Sequence, residues 1–406
     1  MNLIFHTLDN GIRLVHYPLP GIVAYCGLVI NTGSRDETPA ELGMAHFLEH
    51  MLFKGTRKRK AYYVLSRLED VGGELNAYTT KEETAVFASF LKDDYDRAIE
   101  ILHDITFNSV LPEKEIEKEK GVVIEEINSY RDNPAELIFD DFEELIFAGQ
   151  SIGHSILGTP ETVRSFSRQS LLDFASRNYN TDQIVFCSAG NIPERKLIRL
   201  FKKYFENVPV NIRTFTRPEA NSYKPCSVTR KIDTFQNHCI IGNVAYNLRD
   251  ERRLGMFLLN NILGGQGLNS RLNLSLREKN GLAYIVESSY NPYWDTGAFS
   301  IYFGTESNHL EKSIGVAMGE LARLRTEKLG SVQLSKAKNQ IKGYLARGYE
   351  NHESLMLSLG KSLLIFNRIE DLEETYRKID RITSLELMEM ANEVFDPGRL
   401  SILIYK

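Results

Sequence analysis

The sequence predicts an α+β fold built from two similar halves, each a mainly antiparallel sheet with helices packed on it. Three observations carry this expectation. Strand-like and helix-like stretches come in segregated runs instead of strict alternation. The same order of elements occurs twice. Between Asn207 and Cys226 the periodic patterns fade while Pro209, Pro218 and Pro225 appear among polar residues, which marks a linker. The expected organisation is an N-terminal half over 1–208, a linker over 209–226 and a C-terminal half of the same fold over 227–406.

Apolar residues to either side of Asn10-Gly11 suggest a hairpin with a two-residue type I′ turn, and Ile22–Asn31 is rich in β-formers. A helix is expected next. Thr38-Pro39-Ala40-Glu41 offers a capping threonine, a proline at the first helical position and a glutamate three residues after the cap, while Lys54-Gly55 supplies the stop. The turn Val71-Gly72-Gly73 then leads through Tyr78 into a β-rich run over Thr84–Phe90. Asn280-Gly281 leads likewise through Tyr284 into Ile285–Tyr290 and Gly297–Phe303. Each half continues with a long charged helix (Glu113–Tyr130; Ser331–Tyr349) and ends with a helix running into a strand. Those closing pairs are Leu171–Tyr179 with Ile184–Ala189, and Leu385–Phe395 with Leu400–Tyr405.

Composition narrows the function. Lys and Arg number 49 against 54 Asp and Glu, a net charge of −5, so no basic field exists to hold nucleic acid or an anionic membrane surface. The longest near-apolar run, around Gly21–Ile30, is too short to span a bilayer. The N-terminal residues lack the pattern of a signal or transit peptide. Cys26, Cys187, Cys226 and Cys239 are scattered without a CxxC pair, which fits a reduced cytoplasm and offers no thiolate metal site. Cytoplasmic location is the expectation.

The chemistry concentrates on the first predicted helix, which carries His46-Phe47-Leu48-Glu49-His50. Residues four apart on a helix are offset by about 40° and rise about 6 Å, so His46 and His50 can bring two imidazoles onto one ion. Glu49, about 60° to the other side of His46, stands at the rim of the same face. There it can take a proton from an activated water instead of binding the ion. A catalytic zinc site keeps three protein ligands and an open position. On the helix from Glu113 to Tyr130, Ile116, Val123, Ile127 and Tyr130 define the buried arc. Glu119 and Glu126 border that arc at about 300° and 280°, whereas Glu125 faces away at about 180°. Both bordering carboxylates are candidates for the third ligand. About 10 Å apart along the axis, they divide into one direct ligand and one outer partner.

HFLEHMLFKGT (46–56), GGELNAYTTKE (72–82) and EKEKGVVIEEINSYRDNP (117–134) resemble the inverzincin peptidases, the family of pitrilysin, insulin-degrading enzyme and the mitochondrial processing peptidase, in its short single-unit form. The resemblance implies His46, His50 and Glu126 as ligands of one Zn2+ per chain, Glu49 as the general base and Glu119 as the outer-shell glutamate. SRLNLSLREKNGLAY (270–284) resembles the family's other signature, which implies that Arg277 and Tyr284 reach substrate as donors to developing negative charge. Asn76 and Ala77 precede a β-rich run. If their strand has a free edge, its backbone can pair with an extended peptide while the small Ala77 leaves room at the metal.

The function these residues imply is a zinc metalloendopeptidase acting on peptides or extended polypeptide segments in an enclosed chamber. Short members of the family need a second chain to enclose the substrate, so a homodimer is the simplest assembly. A heterodimeric processing peptidase and a non-catalytic structural subunit are the alternatives.

Overall fold

The computed structural model describes residues 2–406. The first sheet is formed by β1 (Ile4–Thr7), β2 (Arg13–Pro18), β3 (Val23–Ile30), β4 (Glu74–Thr79), β5 (Thr84–Leu91) and β6 (Ile184–Gly190). Their order is β1-β2-β6-β3-β5-β4, antiparallel except for the β2/β6 pair. The second sheet holds β7 (Ser227–Arg230), β8 (Asn237–Val244), β9 (Ala283–Pro292), β10 (Gly297–Thr305) and β11 (Ser401–Tyr405) in the order β7-β11-β8-β10-β9, antiparallel except for β7/β11. With β1 set aside, the two orders and pairing senses coincide strand for strand. The fold is therefore α+β with two similar sheets, as the repeated element order predicts.

The chain forms two compact units, each drawing on separate segments. One comprises Met1–Asn128, His154–Arg217 and Arg347–Asp371; the other comprises Ser129–Gly153, Pro218–Ala346 and Leu372–Lys406. Residues 209–226 form no helix or strand. In the first unit one sheet face packs on the helices of the N-terminal half, through Cys26, Leu28, Ile30, Val86 and Phe186. The opposite face, with Val15, Val29, Val185 and Cys187, is covered by the helix His352–Phe366 from late in the chain. This explains why β3 and β6 are almost wholly apolar, since both faces are covered. A Cβ on Gly360 would stand 3.0 Å from Cys187, so glycine lets that helix lie against the sheet. In the second unit the complementary exchange occurs. The helix Pro134–Ile146, from early in the chain, sets Ile138, Phe142 and Ile146 against Ile240, Leu403 and Tyr405.

Two local expectations are corrected. The first hairpin forms, but its loop runs over five residues, because Thr7 pairs with Arg13 and Leu8 N–H donates to the Ile12 carbonyl. Asn10 is not a solvent-facing turn residue. It is buried and its amide donates to the carbonyls of Phe205 and Val208, a tertiary demand that overrides the two-residue turn. The helix bearing His46 begins at Met44 and not after Thr38. Thr38 and Glu41 do bond to one another, but they close a turn, and Gly43 at φ 89° separates it from the helix. The carboxylate that receives the helix N-terminus is Glu37, whose two oxygens accept from the N–H groups of Gly43 and Ala45, both at 2.8 Å.

Burial pushes the Glu37 carboxyl well above the usual carboxylate range, against the pull of the two amides. Replacing it leaves two buried helix N–H groups without acceptors, each costing about 1–3 kcal/mol. Glu37→Ala is expected to lower the unfolding free energy measured in urea, while Thr38→Ala, in the exposed turn, changes it by less than about 1 kcal/mol. Equal losses at the two positions would place the helix start where the capping pattern suggested.

Candidate metal centre

The helix Met44–Leu52 is buried almost all round, with Phe47, Met51 and Leu52 in the core of the first unit and Phe47 edge-on to Phe166 at 5.3 Å. His46 and Glu49 lie at its buried rim and His50 is partly open. The imidazole centroids of His46 and His50 are 4.5 Å apart. Glu126, on the helix Glu113–Arg131, brings its carboxylate to 3.8 Å from His46 Nε2 and 3.7 Å from His50 Nε2. These three donors lie within 4.8 Å of one another and form the one candidate metal-holding group among the described residues.

The arrangement fits a zinc ion on the chemistry of its donors. The N···O separations are too long for hydrogen bonds, yet near the roughly 3.4 Å between ligand atoms of a tetrahedral ion with bonds of about 2.1 Å. His50 Nδ1 lies 2.9 Å from Glu119 Oε1, which in the neutral ring favours the N–H on that side and turns the Nε2 lone pair toward Glu126. Burial first, and then the neighbouring His50, depress the His46 pKa to about 3, so its imidazole is neutral with a lone pair to give. Burial also opposes a charge on His50. The Glu119 hydrogen bond and the carboxylates of Glu49, Glu119 and Glu126 outweigh it, and the His50 pKa is raised.

The two carboxylates that bordered the buried arc have separate surroundings. Glu119 is buried and spans His50 and Lys54, whose ammonium lies 2.6 Å from Oε2. Burial would raise its pKa, but the hydrogen bonds to His50 and Lys54 prevail and lower it. Glu126 is about one-third exposed and faces both Nε2 atoms, and Glu125 is exposed. Glu49 Oε2 accepts from Thr79 Oγ1 at 2.7 Å. Burial raises the Glu49 pKa, and the Thr79 bond and His50 only partly offset it. The Tyr179 hydroxyl is buried without a hydrogen-bond partner, and the charge of Glu49 adds to the burial that raises its pKa.

Three of these neighbours had no site role assigned from the sequence. Lys54 read only as part of a helix stop and Tyr179 as a helix end, while Thr79 fell inside the segment 72–82 without a role of its own. Thr79 lies on β4, which is the sheet edge and pairs only with β5 among the described residues. Asn76 and Ala77 lie on the same strand. Ala77 N–H is met by the Asn76 side-chain oxygen at 2.9 Å, so an edge donor is held locally. Arg277 and Tyr284 belong to the second unit. Arg277, in the π-helical stretch Asn273–Lys279, stacks its guanidinium 4.9 Å from the Tyr284 ring, and Tyr284 is 74% exposed.

Comparisons with known proteins find relatives along the whole chain. The family profile of insulinase (peptidase family M16) matches residues 18–160, and that of the peptidase M16 inactive domain matches residues 165–341. An uncharacterized zinc protease of Bacillus subtilis is 35% identical over 96% of this chain and 95% of its own length. One from Rickettsia bellii is 32% identical over 99% and 97%. The crystal structure of a protease from Helicobacter pylori superposes with a TM-score of 0.91 at 22% identity, covering 100% of this chain and 99% of that one. The peptidase M16 inactive domain from Pseudomonas fluorescens does so with 0.93 at 17%, covering 100% and 98%.

The surroundings rank the three carboxylates. Glu126→Gln is expected to abolish stoichiometric zinc, Glu119→Gln to weaken zinc affinity about 10–100-fold, and Glu125→Gln to change it little. Competition with a chromophoric chelator measures all three, and equal effects at Glu125 and Glu126 would contradict the assignment.

Proposed function

The chain belongs to the insulinase family of peptidases (family M16), and we propose that within it this protein is a zinc endopeptidase cleaving peptides or extended polypeptide segments, with one zinc per chain. The observation that carries the reading is the meeting of His46, His50 and Glu126 at one point with Glu49 beside them, its carboxylate already held by Thr79. His46, His50 and Glu126 hold the ion, and Glu119 holds His50. Bound zinc supplies a Lewis acid that acidifies water and polarises a peptide carbonyl.

Glu49 accepts the proton of the attacking water and returns it to the nitrogen of the leaving amine. The Thr79 hydrogen bond fixes one Glu49 oxygen, so the other carries the proton. Burial raises the Glu49 pKa toward the working pH, which suits a group that must both take and release a proton. The free edge of β4 orients the substrate. Its backbone pairs with an extended chain, and Ala77 N–H exchanges the Asn76 oxygen for a substrate carbonyl. Arg277 and Tyr284, both donors, serve the carbonyl oxygen as charge develops.

The second unit has no metal-holding group of its own among the described residues, while it carries the Arg277/Tyr284 pair. The working assembly is accordingly a homodimer in which Arg277 and Tyr284 of one chain serve the zinc of the other. Retention of His46, Glu49, His50 and Glu126 together weighs against a purely structural subunit. The four free cysteines fit a reducing compartment such as the cytoplasm.

Glu49→Gln keeps the side chain's size but removes its proton acceptor, so zinc content should stay stoichiometric while kcat on a quenched peptide falls about 10²–10⁴-fold. Zinc loss in this variant would make Glu49 a ligand and the role wrong. The dimer is tested by complementation. Glu49→Gln and Arg277→Ala chains should each be nearly inactive alone, whereas random mixing should restore roughly a quarter of wild-type activity through mixed dimers with one intact site. No recovery after mass spectrometry demonstrates subunit exchange would place Arg277 within its own chain's site or outside the chemistry.

A further inference from the structure

The linker is tied into the first unit by a buried arginine. The Arg217 side chain is 9% exposed, and the Asp36 carboxylate that it meets is wholly buried. The guanidinium makes a two-pronged contact, Nε to Oδ1 at 2.8 Å and Nη2 to Oδ2 at 2.7 Å. Nη2 also donates to the Glu82 carbonyl at 2.9 Å and to the Asn31 carbonyl at 3.2 Å. One side chain thus joins the residue after β3, the turn that carries Asp36, and the connection between β4 and β5. The last two are also bonded to each other. The N–H groups of Ser34 and Arg35 donate to the carbonyls of Thr80 and Lys81 at 3.1 and 2.8 Å. Arg35 Nη1 lies 2.6 Å from Glu82 Oε1. A Cβ on Gly33 would stand 2.3 Å from the Thr80 carbonyl oxygen, so only glycine permits this approach.

Thr79 stands immediately before this connection, and its hydroxyl is the group that holds Glu49. Its backbone is fixed on one side by the pairing of Thr79 with Thr84, at the end of a strand with a free edge. On the other side it continues into Thr80, whose N–H and hydroxyl both donate to the Glu83 carbonyl, closing the connection from within. What anchors the closed connection to the body of the unit is the clamp on Glu82 and on the turn that carries Asp36. Charge-assisted, two-pronged bonds are both stronger and more directional than neutral ones. We propose that Arg217 is a positioning residue for peptide hydrolysis: by clamping Asp36 and the Glu82 carbonyl it fixes the β4–β5 connection, and through it the Thr79 hydroxyl that orients Glu49. The inference rests on Glu49 being the general base, and it gives the linker a part in the chemistry.

The test is a double-mutant cycle on the full-length, zinc-loaded chain. Thr79→Val keeps the side chain's shape and removes its hydroxyl, so kcat on a quenched peptide should fall roughly tenfold. Arg217→Lys keeps a positive charge beside Asp36 but cannot supply the fork and the carbonyl bonds together. It should lower kcat about fivefold, with KM changed less than about twofold and zinc still stoichiometric. In the Thr79→Val background the same change should cost less than about twofold, because the contact through which it acts is already gone. In the zinc-free chain, amide hydrogen exchange over Thr80–Glu83 should be faster in Arg217→Lys than in the wild type. An unchanged kcat, equal losses in the two backgrounds, loss of zinc, or unchanged exchange overturns the proposal. Should Arg217→Lys not fold, Asp36→Asn with Arg217→Gln removes both buried charges together and enters the same cycle. Failure of the wild-type chain to cleave removes the peptidase reading, whereas wild-type cleavage with equal losses in the two backgrounds removes only this one.

Discussion

A nine-residue helix, Met44–Leu52, has to carry two imidazoles and a carboxylate while eight of its nine residues are buried, and the rest of the site answers that constraint. Polar groups removed from water must be paired or coordinate an ion. Glu37 receives the helix N-terminus, Thr79 holds Glu49, Glu119 holds His50, and Lys54 neutralises Glu119. Two buried polar atoms stay unpartnered beside these, His46 Nδ1 and the Tyr179 hydroxyl. The order supplied by the surrounding pairs lets the three remaining donors face one point without bonding to each other.

That helix is held in place by a sheet buried on both faces. In the first unit the second face is covered by a helix more than 160 residues farther along the chain than the last strand it covers, and in the second unit the covering helix comes from before the linker. The exchange makes each half dependent on the other for its buried area. A half cut at the linker would expose Val15, Val29, Val185 and Cys187 in one case, and Ile240, Leu403 and Tyr405 in the other. Apolar patches of that kind drive association in water.

The element order, the repeat and the HxxEH face were legible because each depends on short-range periodicity. The helix start was not, because the Thr38/Glu41 pattern is satisfied by a turn and the true partner, Glu37, reaches past Gly43 from outside the helix. The choice between Glu119 and Glu126 could not be made on a helical wheel, since both border the buried arc. In space the two have different partners: Glu119 bonds Lys54 and the far nitrogen of His50, whereas Glu126 faces both Nε2 atoms. Thr79 carried no signal of its own, because only the register of β4 against β5 places that hydroxyl at Glu49. The exchanged helices leave no mark in periodicity at all. Their apolar stripes would look the same against either sheet.

The two sheets share strand order and pairing sense, so the difference in their chemistry lies in what is placed at the β4 and β9 ends. Beside β4 stands a buried helix on which Glu49 and His50 are hydrogen-bonded by Thr79 and Glu119. Beside β9 stand a glycine-rich segment and a π-helical stretch that presents Arg277 to Tyr284. π-helical turns cost regular hydrogen bonding and persist where they aim a functional side chain. One copy therefore carries the group that could hold an ion, and the other the Arg277/Tyr284 pair. In a duplicated fold each copy is free to lose what the other keeps.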